Sequence, residues 1–168
     1  SANLRNALIE AGCNPDSIYH VPNGVDCEKF QHGMSVPRSQ RRSEHGYLDE
    51  DCVLLSVARF EKEKRPDRLS SLAVAIKECG SVGLKVHAIG IGSLRSRLQQ
   101  FVSEQKIQDV LRIQNGSDAE IASAIAGADM FLNTSDREAM PLSVLEGLAG
   151  GLPLIGNKDV LSELLNPR

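Results

Sequence analysis

The sequence has little of what marks metal-binding, haem-binding or disulfide-rich proteins. Its four cysteines, at positions 13, 27, 52 and 79, are irregularly spaced, and no Cys-x-x-Cys pair occurs. The four histidines lie apart from one another and from the cysteines. Zinc sites need ligands at short spacings, and disulfide frameworks need paired cysteines. We therefore expect reduced thiols and neither a metal nor a haem site.

Long apolar runs and a strong charge of one sign are also missing. No run approaches the roughly 20 apolar residues that a membrane-spanning helix needs, and the first residues carry no apolar core of a signal peptide. The formal net charge is only −3, which gives no general attraction to nucleic acid or to membranes. The sequence predicts a cytoplasmic protein without a nucleic-acid partner. Any association with the inner face of the membrane would come through a longer parent protein.

What the chain does contain is an alternation of short apolar runs and amphipathic stretches. Its 168 residues, 41% hydrophobic and 24% charged, are typical of one ordered globular domain. The apolar runs predict buried strands at residues 52–58, 84–89, 110–113, 130–133 and 152–155. The amphipathic stretches between them predict five helices. Four begin at Pro66, near Leu94, after Asp118 as an N-cap, and at Pro141 as the first helical residue. The fifth is a short helix at 160–165.

This alternation predicts an α/β fold, a Rossmann-like parallel sheet with helices on both faces. In such sheets, ligands bind beyond the carboxyl ends of the strands. The loops after residues 58, 89, 113 and 133 should therefore share one rim. That rim would gather Arg59, Gly90, Gly92, Asn115, Gly116 and Glu138 around one crevice.

The first fifty residues differ from the rest and predict a linker segment in front of a domain at 51–168. The run Ile18–Val21 predicts a short extra strand, and the turn signal Pro22-Asn23-Gly24 ends it. The polar stretch from Val36 to Asp51 predicts a surface helix or connector.

A basic pair and a glycine pair follow the first two predicted strands. Arg59 and Lys64 suit a diphosphate, because a planar guanidinium fork and a mobile ammonium both bind phosphate oxygens. A solvated charge run is the alternative, since residues 61–65 are all charged. Gly90-Ile91-Gly92 fits either a tight strand-to-helix turn or a close approach of the backbone to a ligand. The third glycine of the dinucleotide fingerprint is replaced by Arg95, which disfavours an NAD(P)-dependent oxidoreductase.

The most informative stretch contains two glutamates eight residues apart, Glu138 and Glu146. Pro141 between them predicts a helix start at which the N–H groups of Leu142 and Ser143 are free. Those groups and the helix dipole form an anion site. The arrangement suits a sugar attached to a nucleoside diphosphate, although each glutamate alone also fits a surface or structural role.

Four segments in this order resemble the C-terminal, donor-binding domain of retaining glycosyltransferases of the GT-B fold, in the GT4 family. The resemblance covers residues 18 to 155 and is carried by Val21–Asp26 with Phe30, Val57–Asp67, Ala88–Ser93, and the E-x7-E stretch Glu138–Pro153. It implies transfer of a glycosyl group, with retention, from a UDP- or GDP-sugar or similar donor to an acceptor. It implies no cofactor and no metal, because basic residues and a helix terminus supply the positive potential.

The resemblance also implies a role for each matching residue. Arg59 and Lys64 would neutralise the donor diphosphate, and Glu138 would contact hydroxyls of the donor sugar. These three form the implied catalytic set.

The rest of the nucleotide-sugar site is implied in the same way. Backbone N–H groups of Leu142 and Ser143 would bind the phosphates, and Glu146 would bind the ribose hydroxyls. The loop with Asn115 and Gly116 would lie beside the base, and the Gly90–Gly92 turn would complete the site.

The sequence departs from the family pattern in three ways. The family commonly has Phe-Gly after the residue that follows the first glutamate, whereas this segment is Ala139-Met140-Pro141. Gly147 replaces a frequent alanine. The chain also stops soon after the fifth predicted strand and lacks the N-terminal acceptor domain. We therefore expect a fragment of a longer enzyme, inactive or nearly so alone. A non-catalytic nucleotide-binding or scaffold module of the same fold is the alternative.

Overall fold

The computed structural model describes residues 2–19, 21–32, 36–138 and 140–165. Within these ranges the strands form one five-stranded parallel sheet of order β3-β2-β1-β4-β5. In chain order the strands are β1 Cys52–Val57, β2 Leu84–Ile89, β3 Leu111–Gln114, β4 Met130–Leu132 and β5 Leu154–Ile155. The predicted Rossmann-like sheet is confirmed. Each strand starts within two residues of its predicted start.

A helix follows every strand, as the alternation predicts. In chain order the helices are α1 Ala2–Glu10, α2 Cys27–His32, α3 Arg38–Glu44, α4 Asp67–Glu78, α5 Arg95–Glu104, α6 Asp118–Gly127, α7 Leu142–Ala149 and α8 Lys158–Leu165. No helix in the described ranges is long and apolar enough to cross a membrane.

The sheet carries a hydrophobic core on each face. Leu54 of β1 packs with Leu69 and Ala73 of α4 and with Leu98 of α5. Its neighbours in the strand point the other way, and Leu55 packs with α6 and α7. This alternation follows from the period of two residues in a strand. Helices therefore cover both faces and leave the loops at the carboxyl ends of the strands to form a rim.

Two helix starts differ from their predictions by one residue. Ser117, not Asp118, caps α6, because its hydroxyl accepts the Glu120 amide while the Glu120 carboxylate accepts the Ser117 amide. This is a capping box, a pattern that the Ser-x-x-Glu spacing produces. Pro141 is the N-cap of α7 and not its first helical residue, because its ψ of 116° is extended.

The predicted extra strand at Ile18–Val21 is wrong for its described residues. Ile18, Tyr19 and Val21 belong to no strand, and His20 lies outside the described residues. Tyr19 and Val21 are 83% and 82% exposed. A strand needs a neighbour for its backbone hydrogen bonds, and in the described sheet β3 and β5 are the edges.

The predicted surface helix between residues 36 and 51 exists as α3, but it is not confined to the surface. The Arg42 side chain is completely buried. Its guanidinium donates to the carbonyls of Gly127 at 2.9 Å and Leu48 at 2.7 Å, and pairs with Asp129 at 3.1 Å. Phe30 and Tyr47 join the core of the same face. Residues on both sides of position 50 therefore share one core.

Candidate functional site

The largest concentration of predicted site residues lies around a cavity of about 600 Å³ at the carboxyl ends of the strands. Loops after β1, β2, β3 and β4 meet the first turn of α7 there. The predicted residues that line the cavity are Arg59, Lys64, Gly90, Gly116, Glu138, Leu142, Ser143 and Glu146. Gly92 and Asn115, although described by the structure, are outside this lining. The fold brings the other eight together, and their binding roles stay predictions.

The Gly90–Gly92 turn packs against the backbone that follows β1. The Phe60 amide donates to Ile91 O at 2.7 Å, and the Leu94 amide donates to Phe60 O at 2.9 Å. A Cβ on Gly92 would lie 2.6 Å from Phe60 O, and the φ of 149° at Gly92 is one that other residues rarely adopt. Both glycines therefore serve a tight turn. Gly90 also borders the cavity, so the two sequence interpretations are compatible at that residue.

Lys64 and Glu138 contact each other directly. The Lys64 ammonium lies 2.5 Å from Glu138 Oε1, and their side chains are only 19% and 11% exposed. The Ser135 hydroxyl donates to the same carboxylate oxygen at 2.7 Å. The pair presents a phosphate-binding cation beside an acceptor for hydroxyl groups.

Arg59 is held more loosely than Lys64. Its side chain is 66% exposed and pairs with Glu63 at 3.1 Å. Exposed pairs of this kind contribute about 0.2–1 kcal/mol. The guanidinium can therefore exchange Glu63 for a phosphate at little cost.

The first turn of α7 borders the cavity, which Leu142 and Ser143 line. The amides of Val144 and Leu145 both donate to Pro141 O, which begins the hydrogen bonding of the helix. Leu142 and Ser143 precede these donors. The first N–H groups of a helix have no partner within it and carry the positive end of the dipole. This terminus suits an anion next to Lys64.

Glu146 is the second glutamate that lines the cavity, and its side chain is half-buried. Burial raises the pKa of its carboxyl, Lys29 opposes that shift, and Asp118 adds to it. Lys29 from α2 also pairs with Asp118 at 3.1 Å. Each of these carboxylates thus has a cation nearby, Lys64 for Glu138 and Lys29 for Asp118 and Glu146. Sequence reasoning missed Lys29, and it assigned Asp118 only a capping role.

Asn23 is a second cavity residue to which the sequence reasoning gave no site role. Its side-chain amide donates to Met140 O at 3.0 Å, and its backbone amide lies 3.0 Å from the Met140 sulfur. Asn23 therefore ties the linker segment to the loop that leads into α7. The Asn-Gly turn was visible in the sequence, but its distant partner was not.

In the part of the chain that the structure describes, metal-binding groups are not assembled near this cavity. No cluster of three or more histidine, cysteine, aspartate or glutamate side chains suited to a metal is found among the described residues. The Asp-x-Asp sequence at Asp49–Asp51 precedes β1 and so lies at the opposite end of the strand from the rim. Asp51 accepts the Leu48 amide at 2.8 Å in a local turn.

A parallel Rossmann-like sheet with this rim is the architecture of one half of a GT-B glycosyltransferase. The comparison with known families agrees. The chain belongs to the family described as glycosyl transferases group 1, whose profile matches residues 37–163.

Curated relatives in this family are longer than the chain. The putative colanic acid biosynthesis glycosyltransferase WcaL of Salmonella typhimurium is 28% identical over 160 residues, which cover 88% of this chain and 36% of that protein. The alpha-monoglucosyldiacylglycerol synthase of Streptococcus pneumoniae is 30% identical over 141 residues, which cover 82% of this chain and 32% of that protein. The chain thus spans about a third of the length of these relatives.

Solved structures show the same fold. HepE of Anabaena, in complex with UDP and glucose, superposes with a TM-score of 0.81 at 17% identity, covering 100% of this chain and 46% of that one. A glycosyltransferase from Rickettsia africae gives 0.80 at 17% identity, with 99% and 45% covered. The chain corresponds to somewhat less than half of each.

Proposed function

We propose that this chain is the donor-binding domain of a retaining glycosyltransferase of the GT4 family. The intact enzyme would transfer a glycosyl group from a nucleoside-diphosphate sugar to an acceptor. The observation that carries the proposal is one cavity lined by the Lys64–Glu138 pair, the N-terminus of α7 and Glu146. A cation, a helix terminus and separated carboxylates match the phosphate, sugar and ribose parts of such a donor.

The relatives support a uridine nucleotide as the first ligand to try. The solved structure of HepE is a complex with UDP and glucose. That of a pneumococcal O-GlcNAc transferase, GtfA, is a complex with UDP and GlcNAc. The colanic acid and amylovoran enzymes among the relatives support a role in polysaccharide biosynthesis.

The cations and the helix terminus would act on the leaving group. When the bond between sugar and phosphate breaks, negative charge grows on the departing nucleoside diphosphate. Lys64, Arg59 and the first amides of α7 would stabilise that charge more in the transition state than in the ground state. No metal ion is required for this step in the proposed mechanism.

Glu138 would orient the sugar while this happens. Its carboxylate already accepts hydrogen bonds from Lys64 and Ser135 through Oε1. Oε2 and the remaining lone pairs would accept donor hydroxyls. Glu146 would accept from the ribose, and the Asn115–Gly116 loop would border the base.

Transfer itself would need an acceptor domain preceding this chain in the same polypeptide. The acceptor and the bond formed would depend on that domain, as would any attachment to the cytoplasmic face of a membrane. We therefore expect the chain alone to bind donor nucleotide and to transfer sugar poorly.

Calorimetry against UDP, GDP and ADP tests the proposal. We expect one of them to bind and the Arg59→Ala/Lys64→Ala variant to raise its Kd at least about tenfold, because two charge-assisted contacts are lost. The matched control is Arg97→Ala/Lys158→Ala, which removes the same charge from exposed positions outside the cavity. Absence of binding by all three nucleotides, or equal affinities for both variants, would contradict the proposal. Donor binding without transfer by the parent protein would instead favour a non-catalytic module.

A further inference from the structure

Three residues beside the donor cavity form an ion-pair network that the proposed function does not use. Arg65 pairs with Asp136 at 2.8 Å and with Asp67 at 2.8 Å. Arg68 takes the other oxygen of Asp136 at 2.5 Å. Both oxygens of Asp136 are thus occupied by arginines, Arg65 just before α4 and Arg68 in its first turn. We call Arg65, Arg68 and Asp136 the outer network.

The backbone of Arg65 makes this network unusual. Its φ of 50° and ψ of 53° lie in the left-handed region, which residues other than glycine seldom occupy. Such a conformation persists only where the surroundings hold it. The Arg65 amide donates to Lys62 O at 3.2 Å, and the carboxylates of Asp67 and Asp136 both bind the Arg65 guanidinium.

The outer network is next in sequence to the Lys64–Glu138 pair that lines the cavity. Lys64 directly precedes Arg65, and Asp136 lies two residues before Glu138. The Thr134 hydroxyl donates to Lys64 O at 2.7 Å, and Arg68 donates to Thr134 O at 2.8 Å. The loop after β1 and the loop after β4 are therefore joined through side chains and backbone together.

Stability alone is a poor explanation for the outer network. The Arg65 and Asp136 side chains are 35% and 44% exposed, and exposed ion pairs contribute little to folding. Arginine forks do, however, fix the direction of the carboxylates that they bind. Hydrogen bonds from Arg65 and Arg68 lower the pKa of Asp136, so this carboxylate stays charged in the neutral range.

We propose that Arg65 and Asp136 are positioning residues, which hold Lys64 and Glu138 at the separation and direction needed to receive a sugar diphosphate. The inference rests on the proposed function. It assigns the left-handed turn at Arg65, and the pairing of Arg65 with Asp136, to aiming the Lys64 ammonium at the diphosphate. The same pairing holds the loop that carries Glu138, whose carboxylate contacts Lys64. Misplacement of about 1 Å in such a group can reduce a rate about 100-fold.

The effect of this network is specific to one part of the ligand. In the proposed function Lys64 contacts the diphosphate, whereas Glu146 and Gly116 contact the nucleoside. Loss of the outer network should therefore weaken the binding of a nucleoside diphosphate and leave the binding of its nucleoside unchanged. A general loss of structure would weaken both.

The first variant to test is Asp136→Asn, measured by calorimetry with the nucleoside diphosphate that binds best and with its nucleoside. We expect its Kd for the diphosphate to rise about tenfold, equal to roughly 1.4 kcal/mol, with the Kd for the nucleoside unchanged. Asp49→Asn, at an exposed position outside the cavity, is the matched control and should bind like wild type. An equal loss for both ligands would overturn the inference.

A double-mutant cycle shows whether the network acts through Lys64. In a Lys64→Ala background, Asp136→Asn should cause no further loss, because the group that it positions is gone. The same loss in both backgrounds would overturn the inference while leaving the proposed function intact. If wild type binds no nucleoside diphosphate, the proposed function fails, and this inference fails with it.

Arg65→Gly separates backbone strain from side-chain positioning. Glycine adopts the left-handed conformation freely, so the variant keeps the turn and removes the contacts to Asp67 and Asp136. We expect it to bind the diphosphate as weakly as Asp136→Asn does. Binding equal to wild type would show that the turn alone suffices and would overturn the role of the side chain.

Discussion

At the residue scale, Glu146 is the site residue whose environment differs most from what the sequence indicates. In its proposed role as an acceptor for ribose hydroxyls, it needs only to be ionised. Burial nevertheless raises the pKa of its carboxyl, Lys29 partly offsets that shift, and Asp118 reinforces it. The folded state therefore holds a proton on Glu146 more tightly than the unfolded chain does.

This shift predicts how stability depends on pH. The contribution of Glu146 is fully present below the ordinary carboxyl pKa of 4.5 and is lost as pH rises through the higher pKa of the folded state. Glu146→Gln carries no such charge. We expect its free energy of unfolding, measured in urea, to rise relative to that of wild type as the pH increases from about 4 to about 7. Glu78→Gln, at an exposed position, should show no such trend, and parallel curves for Glu146→Gln and wild type would refute the prediction.

At the scale of elements, helix α7 fits β4 through a glycine. A Cβ added to Gly147 would lie 2.5 Å from the Phe131 ring, and both residues are buried. The family frequently has alanine at this position, and the departure therefore has a physical reason here. The large ring of Phe131 occupies the space that an alanine methyl group would need.

Gly147→Ala should therefore destabilise the protein, although alanine favours helix formation. Overpacking of a core typically costs about 1–3 kcal/mol, which exceeds the gain of about 1 kcal/mol from helix propensity. Urea denaturation measures the difference. The double variant Gly147→Ala/Phe131→Leu should lose less stability than the two single changes combined, because the smaller side chain makes room. Stabilisation by Gly147→Ala alone would contradict this packing.

Elements with strong local signals could be predicted from the sequence. The strands at 52 and 84 are dense apolar runs between polar turns, and their pattern alone fixes their type and nearly their ends. The rim followed from parallel order, since the carboxyl ends of parallel strands meet at one edge. The extra strand at 18–21 failed, because an apolar run does not say whether a neighbouring strand exists to pair with it.

Contacts between distant residues could not be predicted in this way. Arg42 looks like one member of a basic surface run, and only the fold brings three backbone carbonyls and Asp129 around it. Nothing local in the sequence pairs Lys64 with Glu138, or Asn23 with Met140. These contacts depend on which loops the folded sheet brings together. The local sequence pattern does not contain that information.

At the scale of the whole molecule, the sheet converts scattered residues into one site. Strand order β3-β2-β1-β4-β5 puts the loop with Lys64 next to the loop with Glu138, because β1 and β4 are neighbours. Helix α7 then follows β4 and turns its N-terminus toward the same cavity. The linker segment reaches this site through Asn23 and Lys29, so donor binding should depend on residues before the Rossmann-like unit as well.

The position of the nucleotide on the molecule is the central claim, and amide chemical-shift mapping tests it most directly. Uniformly 15N-labelled protein would be titrated with UDP, or with whichever of UDP, GDP and ADP binds. We predict that the largest shifts fall on the amides of Leu142, Ser143, Gly90 and Gly116, while Cys52 and Leu84, at the opposite end of their strands, do not move. Shifts centred on that opposite end, with the α7 amides unchanged, would contradict the claim.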